Sequence, residues 1–239
     1  MTEVVTTLHI NQDWIDSKNI TLLHEAVNLY IKIFSDPPYN EHFEFTNVEN
    51  EFYQYIKQGC FILAIIDSKT VGFMCSSMGL DHIGTEVAKD MLMHSIDYKK
   101  DVYISELGVS NEHRCKGIAK KLMNEFMEIN KYQNMFLRTG MHNNDHVIKL
   151  YEKYGFKKTK INECVMNTRT NGELDYDERF YMIKIQKLNF AESINNDGYE
   201  SGAEHLYGLS GHYNNDINDF DNTKTEYDGY GSGAEFVYE

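Results

Sequence analysis

A short glycine-containing segment stands between an apolar run and an amphipathic helix, and its residue types suit the binding of an anion. The segment Arg114-Cys115-Lys116-Gly117-Ile118-Ala119 follows the β-branched run that ends at Val109. Apolar residues then recur at helical spacing from Ile118 to Ile129. Amides at the start of a helix lack intrahelical partners and lie at the positive end of the helix dipole. The N–H groups from Arg114 to Ala119 are therefore predicted to bind a phosphate or pyrophosphate.

The side chains of this segment support the same interpretation. Gly117 and the small Ala119 let a ligand approach the main chain closely. Lys116, Lys120 and Lys121 add positive charge nearby. Cys115 is interpreted as a loop side chain that points to solvent rather than as a nucleophile.

Composition divides the chain into a balanced body and an acidic tail. Residues 1–190 are predicted to form one domain and residues 191–239 an appendage. The formal net charge is −14, and the segment from Ala191 to Glu239 contains eleven acidic residues against one basic residue, Lys224. No basic stripe is present, so nucleic acid is not expected as a partner. A cationic partner such as an amine or a basic protein is electrostatically favoured.

The tail contains an internal repeat. Asp197-Gly198-Tyr199-Glu200-Ser201-Gly202-Ala203-Glu204 recurs as Asp228-Gly229-Tyr230-Gly231-Ser232-Gly233-Ala234-Glu235. A flexible low-complexity tail is one interpretation. A docking segment, whose six tyrosines bind the body or a second subunit in a homodimer, is the other.

Location and metal content follow from what the sequence lacks. No apolar run reaches the roughly 20 residues needed to span a bilayer, and the first residues do not resemble a signal peptide. We therefore expect a cytoplasmic protein with no membrane partner. Its four cysteines are widely spaced and are predicted to be reduced thiols, with no metal site.

The predicted elements alternate between helices and strands. They imply a mixed α/β fold, with parallel and antiparallel strand pairs in one sheet. Helices are predicted from Leu23 to Phe34, from a capping box at Thr46 and Glu49 to Gly59, near Thr85 to Ser95, from Ile118 to Ile129, and from Val147 to Tyr154. Strands are predicted at Cys60–Ile66, Val71–Met78, Val102–Ser110, Asn134–Thr139, Phe156–Val165 and Phe180–Leu188.

A second segment lies one helix and one strand beyond the first. It reads Asn144-Asp145-His146-Val147-Ile148-Lys149-Leu150-Tyr151-Glu152-Lys153-Tyr154-Gly155-Phe156. Together the two segments resemble the GNAT acyltransferase superfamily, whose members share an Arg/Gln-x-x-Gly-x-Gly/Ala loop and a downstream Asn-x-x-Ala-x-x-Leu-Tyr-x-x-x-Gly-Phe stretch. Ala119 replaces the commoner second glycine, and Val147 stands where alanine is usual. The resemblance implies a splayed central sheet flanked by helices on both faces.

The resemblance also implies a cofactor and its binding residues. Family members use acetyl-CoA or another acyl-CoA as co-substrate, with its pyrophosphate on the loop amides. The pantetheine arm pairs like a strand beside the first motif strand, here with the main chain of Leu107 and Val109. Asn144 is expected to hydrogen-bond near that arm or to serve only as a helix N-cap.

Catalytic roles follow from the same resemblance. Tyr151 corresponds to the family's Leu-Tyr position and is predicted to protonate the departing thiolate, although its spacing also suits a core aromatic. Glu106 is the candidate base, and a solvent-facing strand carboxylate is the alternative. Because side chains alternate along a strand, Glu106 is expected on the face of the sheet opposite to Tyr103, unless a bulge intervenes. Thr139 occupies the place where some protein N-terminal acetyltransferases have a glutamate, and His142 is a possible relay.

The implied activity is transfer of an acetyl group from acetyl-CoA to a primary amine of a small molecule or protein, by direct attack in a ternary complex. The alternative is a catalytically silent acyl-CoA-binding module whose acidic tail mediates protein interaction. Three loops are expected to choose the acceptor amine: Asp36–Phe43, Gly79–Lys100 and Thr168–Glu178. Their carboxylates, Asp36, Glu41, Asp175 and Asp177, either attract a cationic amine or are solvated loop charges.

Overall fold

The computed structural model of the chain describes residues 4–16, 20–80, 82–140 and 145–186. The strands in these residues are β1 (Thr6–Ile10), β2 (Gly59–Ile66), β3 (Lys69–Met78), β4 (Val102–Val109), β5 (Met135–Gly140), β6 (Lys157–Thr168) and β7 (Leu174–Lys184). The helices are α1 (Gln12–Asp16), α2 (Ile20–Ser35), α3 (Phe45–Gln58), α4 (Thr85–Met93), α5 (Ile118–Ile129) and α6 (Asp145–Lys153). The predicted tail from Ala191, His142 and Asn144 lie outside the described residues.

The strands form one seven-stranded sheet in the order β1-β2-β3-β4-β5-β7-β6. Only β4 and β5 pair in parallel among these neighbours, and the other pairs are antiparallel. Each face of the sheet carries its own apolar cluster, and helices contribute residues to both clusters. The predicted mixed α/β sheet with helices on both faces is confirmed.

The two large clusters follow from the apolar periodicity of the helices that cover them. Helices α2 and α3 pack Tyr30, Phe34 and Phe52 against the face of β2 and β3 that carries Phe61 and Phe73. Helices α5 and α6 bury Ile118, Leu122, Met123, Phe126, Val147 and Tyr151 against the opposite face. Each fully buried side chain of this size contributes roughly 1.5–3 kcal/mol, so these two interfaces fix the central strands.

The β2–β3 hairpin is confirmed where the turn residues predict it. Asp67 and Ser68 both have positive φ, at 48° and 63°. Positive φ at both central residues is the geometry of a tight hairpin turn that matches the twist of the strands. The two strands pair from Gly59 opposite Ser77 to Ile66 opposite Lys69.

Two predictions about element ends are wrong, and one strand is missing from the predictions. The capping box is absent, because α3 begins at Phe45 after Glu44 and Glu49 instead contacts His24 at 2.8 Å. Strand β7 begins at Leu174 rather than Phe180, because its polar first half pairs with β6 in an exposed hairpin that alternation does not mark. Strand β1 was not predicted at all.

None of the helices in the described part of the chain is long and apolar enough to cross a membrane.

Candidate active site

The central feature of the sheet is a gap between β4 and β5. The two strands pair only at Val102–Met135, Tyr103–Phe136 and Ile104–Leu137. Beyond Ile104, β4 continues beside β3, while β5 continues beside β7. The edge of β4 that faces β5 therefore has no strand partner beyond Ile104 within the described residues.

The main chain of Leu107 and Val109 faces this gap. Ser110 donates its amide to the carbonyl of Val71 at 2.9 Å, so these two residues form a hydrogen-bonded pair. Bonded and non-bonded pairs alternate along an antiparallel ladder. The pairs of Val109 with Gly72 and Leu107 with Met74 are consequently the non-bonded ones, and their N–H and C=O groups point to the opposite edge.

The loop after β4 connects this open strand edge to the start of α5. Gly117 precedes the helix with φ of 79° and ψ of 9°, and Cys115 also has a positive φ, 58°. The amide of Lys121 donates to the Gly117 carbonyl at 3.0 Å as the first hydrogen bond of the helix. The amides of Ile118, Ala119 and Lys120 precede that bond, at positions where a helix offers its N–H groups to an external acceptor.

Two expectations about this loop differ from the structure. The Arg114 amide donates to the Asn111 carbonyl at 3.4 Å, because a single 3₁₀ turn at Asn111–His113 precedes it. The prediction of six free amides from Arg114 to Ala119 is therefore wrong at its first residue. Lys121 donates its ammonium group to the Val5 carbonyl, so its charge is directed toward the β1 end rather than the loop.

Tyr151 lies on α6 and is completely buried in the cluster between the helices and the sheet. Its ring packs edge-on against Phe156, with centroids 5.7 Å apart. Helix α6 is fastened to α5 by Tyr154, whose hydroxyl lies within hydrogen-bonding distance of two acceptors, the Lys120 carbonyl oxygen at 3.0 Å and Asn124 Oδ1 at 2.7 Å. The same helix therefore positions Tyr151 and contacts the first turn of α5.

A β-bulge decides which way Glu106 points. Cys75 pairs with Glu106, but Ser76 pairs with Ile104, which leaves Ser105 as the extra residue. Ile104 and Leu107 both lie in the α5–α6 cluster. Gly108 faces α2, since an added Cβ there would lie 3.1 Å from Ile33 Cδ1. Glu106 shares the α2 face with Gly108 and, because of the bulge, with Tyr103.

The electrostatics of neighbouring groups agree with this position of Glu106. Burial, and then the charge of Glu106, raise the pKa of the Tyr30 hydroxyl well above its ordinary value. The same two causes raise the pKa of the Cys75 thiol. Burial raises the pKa of Tyr103 to about 12, with Glu106 adding to the rise and Arg138 opposing it. These groups stay protonated at neutral pH beside a carboxylate that is 0% exposed, so the solvent-facing alternative for Glu106 is wrong.

Buried ion pairs, which the sequence did not reveal, join the α2–α3 connection to the β6–β7 hairpin. Glu41 Oε1 lies 3.3 Å from Arg179 Nη2 and 4.0 Å from Arg169 Nη1. Asp175 and Asp177 also pair with Arg169, at 3.0 Å and 2.7 Å. Three of the four loop carboxylates for which amine attraction and solvation were the alternatives are thus paired with arginines, and Glu41 is buried rather than solvated.

The described residues contain no group of three or more His, Cys, Asp or Glu side chains arranged to hold a metal ion.

The comparison with protein-family models identifies one family. The model of the Acetyltransferase (GNAT) family matches residues 23–156. The PH1933 protein of Pyrococcus horikoshii OT3 has a similar structure, with a TM-score of 0.53 and 20% identity over 77% of this chain and 100% of that one. Arabidopsis thaliana NAA60, solved with a bisubstrate analogue, gives a TM-score of 0.52 and 18% identity over 77% of this chain and 100% of its own. No curated protein sequence matches the chain.

At such low identity the two structures show a shared fold, whereas the family model covers more than half of the chain, including both motif segments. The splayed β4–β5 pair, the loop at Gly117 and the helix of Tyr151 all lie within the matched residues. The chain therefore belongs to the GNAT acetyltransferase family.

Proposed function

We propose that this chain transfers an acetyl group from acetyl-CoA to a primary amine of a small molecule or protein, by direct attack in a ternary complex. One observation carries the proposal: an open strand edge at Leu107 and Val109 leads directly into the helix-start amides from Ile118 to Lys120. An open edge suits the peptide-like amides of a pantetheine arm. Amides at a helix start suit its pyrophosphate.

The loop geometry fits this ligand. A Cβ built on Gly117 would meet nothing within 4 Å, so the main chain is open to a bound group on that side. Lys116 and Lys120 are exposed beside it and can balance phosphate charge. Asn144, proposed to bind near the arm, lies outside the described residues.

Acetyl transfer poses two proton problems that two side chains can solve. A primary amine has a pKa near 10.4 and must lose a proton before it attacks. The departing thiolate, whose thiol has a pKa of about 8.5, benefits from a donor. We assign the base to Glu106, which lies on β4 and faces α2, and the acid to Tyr151, which lies on α6 in the cluster on the opposite face of the sheet. The acyl site is proposed to lie in the gap between β4 and β5, between these two side chains.

Acetyl-CoA at about 100 times its dissociation constant is expected to stabilise the fold by roughly 2.7 kcal/mol, measured as a rise in melting temperature. Gly117→Val should remove most of this rise, because a β-branched residue strains at a φ of 79° and reshapes the loop. The matched control is Gly172→Val in the β6–β7 hairpin. Gly172 has a φ of 84° and equally open space around its Cβ position. Absence of a rise with acetyl-CoA or longer acyl-CoA in the unmodified protein would contradict the proposal.

Tyr151→Phe is expected to lower kcat on the order of tenfold or more with little change in the affinity for CoA, because only the proton donor is lost. Release of free thiol measures turnover, and calorimetry measures affinity. Tyr154→Phe, at the residue that follows α6, is the control, since the Tyr154 hydroxyl bonds α5 rather than the gap. Equal turnover in the Tyr151 variant and the unmodified protein would assign Tyr151 to packing alone.

The acceptor is best sought with a panel of amines, including polyamines, aminoglycosides and peptides, by following thiol release. Binding of acetyl-CoA without thiol release from any amine would favour the silent acyl-CoA-binding module. A cytoplasmic location and a docking role for the tail, within one chain or across a homodimer, stay predictions.

A further inference from the structure

We infer that the hydroxyl groups of Ser105 and Thr139 bind the acyl carbonyl oxygen of the thioester where β4 and β5 diverge. The inference rests on the proposed function and names positioning residues for the acyl end of the same site. Neither hydroxyl has a role in the mechanism given above.

The two residues stand on opposite sides of the gap, close to where it opens. Ile104 and Leu137 form the last pair that joins β4 to β5. Ser105 follows Ile104 directly and is the extra residue of the bulge. Thr139 lies two residues beyond Leu137, on the arm of β5 that pairs with β7.

Both hydroxyls are buried in a way that a folded chain normally avoids. Ser105 is 1% exposed and Thr139 is 0% exposed. Within the described residues, Ser105 Oγ and Thr139 Oγ1 have no hydrogen-bond partner. The large majority of buried side-chain polar atoms in native structures do have one, so each exception requires an explanation. Two exceptions flanking one gap are explained together if a ligand in the gap supplies the partner.

A thioester carbonyl has the complementary chemistry. Its oxygen accepts hydrogen bonds, whereas each hydroxyl can donate one. When the amine nitrogen forms its bond to the carbonyl carbon, the carbonyl electron pair moves onto the oxygen. Fixed donors at that oxygen stabilise the developing charge. The C=O bond then re-forms as the C–S bond breaks, and the thiolate takes its proton from Tyr151. Glu106 has already taken the proton that the ammonium group loses before attack, and the second proton that the nitrogen loses as the amide forms goes through solvent to the tyrosinate, which restores Tyr151.

Packing does not explain why positions 105 and 139 carry hydroxyl groups. Ile104, Leu107 and Leu137, which neighbour the two residues along their strands, belong to the apolar cluster under α5 and α6. Thr139 is paired across the sheet with Phe180, which belongs to the same cluster. A buried hydroxyl without a partner lowers stability relative to an apolar group of the same shape. The free protein is therefore expected to tolerate loss of either hydroxyl.

The test compares two unreactive CoA thioethers, S-acetonyl-CoA, which has a carbonyl, and S-propyl-CoA, which has none. Ser105→Ala and Thr139→Val are each expected to weaken S-acetonyl-CoA binding about fivefold, the value of one neutral hydrogen bond. Binding of S-propyl-CoA should not change. The melting temperature of each ligand-free variant should equal or exceed that of the unmodified protein. Calorimetry and thermal unfolding provide these readouts without turnover.

Thr159→Val is the matched control, because the Thr159 hydroxyl does have a partner, the Tyr181 carbonyl at 2.8 Å. It should lower the melting temperature and leave both affinities unchanged. If Ser105→Ala and Thr139→Val weaken both thioethers alike, weaken neither, or lower the melting temperature as Thr159→Val does, the inference is overturned while the proposed function stands. If the unmodified protein binds neither thioether nor acetyl-CoA, the proposed function and the inference both fall.

Discussion

Glu106→Gln is expected to lower kcat for amine acetylation by a factor of about 10²–10⁴, the range that a positioned general base contributes. Glutamine keeps the shape of the side chain and one acceptor oxygen, but its amide cannot take up a proton. The loss should appear in kcat, with the KM for acetyl-CoA little changed, since Glu106 faces α2 while the proposed cofactor path runs along the β4 edge. Free thiol release under saturating amine measures the effect.

The pH dependence separates loss of a base from general damage. The variant depends on amine that has already lost its proton in solution, so its rate should keep rising toward the pKa of the amine, near 10.4 for a lysine-like acceptor. The deficit relative to the unmodified protein should shrink over the same range. Glu51→Gln is the control, because Glu51 is a second carboxylate whose charge raises the pKa of Tyr30. A Glu106 variant with unchanged kcat, or a deficit equal at every pH, would contradict the assignment.

The sequence predicted the positions of the Arg114–Ala119 loop and the Tyr151 helix because both depend on local patterns. A glycine before an apolar stripe at helical spacing marks the start of α5, and Gly155 with φ of 88° marks the end of α6. Each signal is contained in about one turn of chain. The structure places them as the periodicity indicates.

The direction of Glu106 could not be predicted in the same way. Alternation along β4 fixes a face only if the ladder is regular, and a single extra residue reverses every assignment beyond it. The bulge at Ser105 depends on how β3 pairs with β4, not on the sequence of β4 alone. The two hydroxyls at the gap were equally hidden, because serine and threonine in a strand do not reveal whether their partners exist.

The ion pairs at the β6–β7 hairpin show a second limit of prediction from the sequence. Arginine and glutamate in polar segments are usually exposed, and Glu41 is separated from Arg179 by 138 positions. Nothing local indicates that the α2–α3 connection contacts the β6–β7 hairpin. In the structure the amide of His42 donates to Thr168 and that of Thr170 donates to Asn40, at 2.8 Å and 2.7 Å, which brings the two charges together.

Arg179→Met is expected to destabilise the fold by about 3–5 kcal/mol, because it leaves a buried charge without its partner. Arg179 is 2% exposed and Glu41 is 7% exposed, so water cannot replace the lost ion pair. Arg169 lies 4.0 Å from Glu41 and offsets part of the loss, which favours the lower end of that range. Urea unfolding followed by circular dichroism measures the free energy of unfolding.

The double variant Glu41→Gln with Arg179→Met tests the cause, since it removes both charges and keeps their approximate volumes. We expect it to be more stable than Arg179→Met alone, because replacing both partners of a buried pair costs far less than removing one. Lys89→Met is the control for an exposed pair, with Glu86 at 2.8 Å on α4, and should leave the unfolding midpoint unchanged. If the double variant is as unstable as Arg179→Met, the loss comes from packing of the arginine side chain, and the buried charge of Glu41 is not its cause.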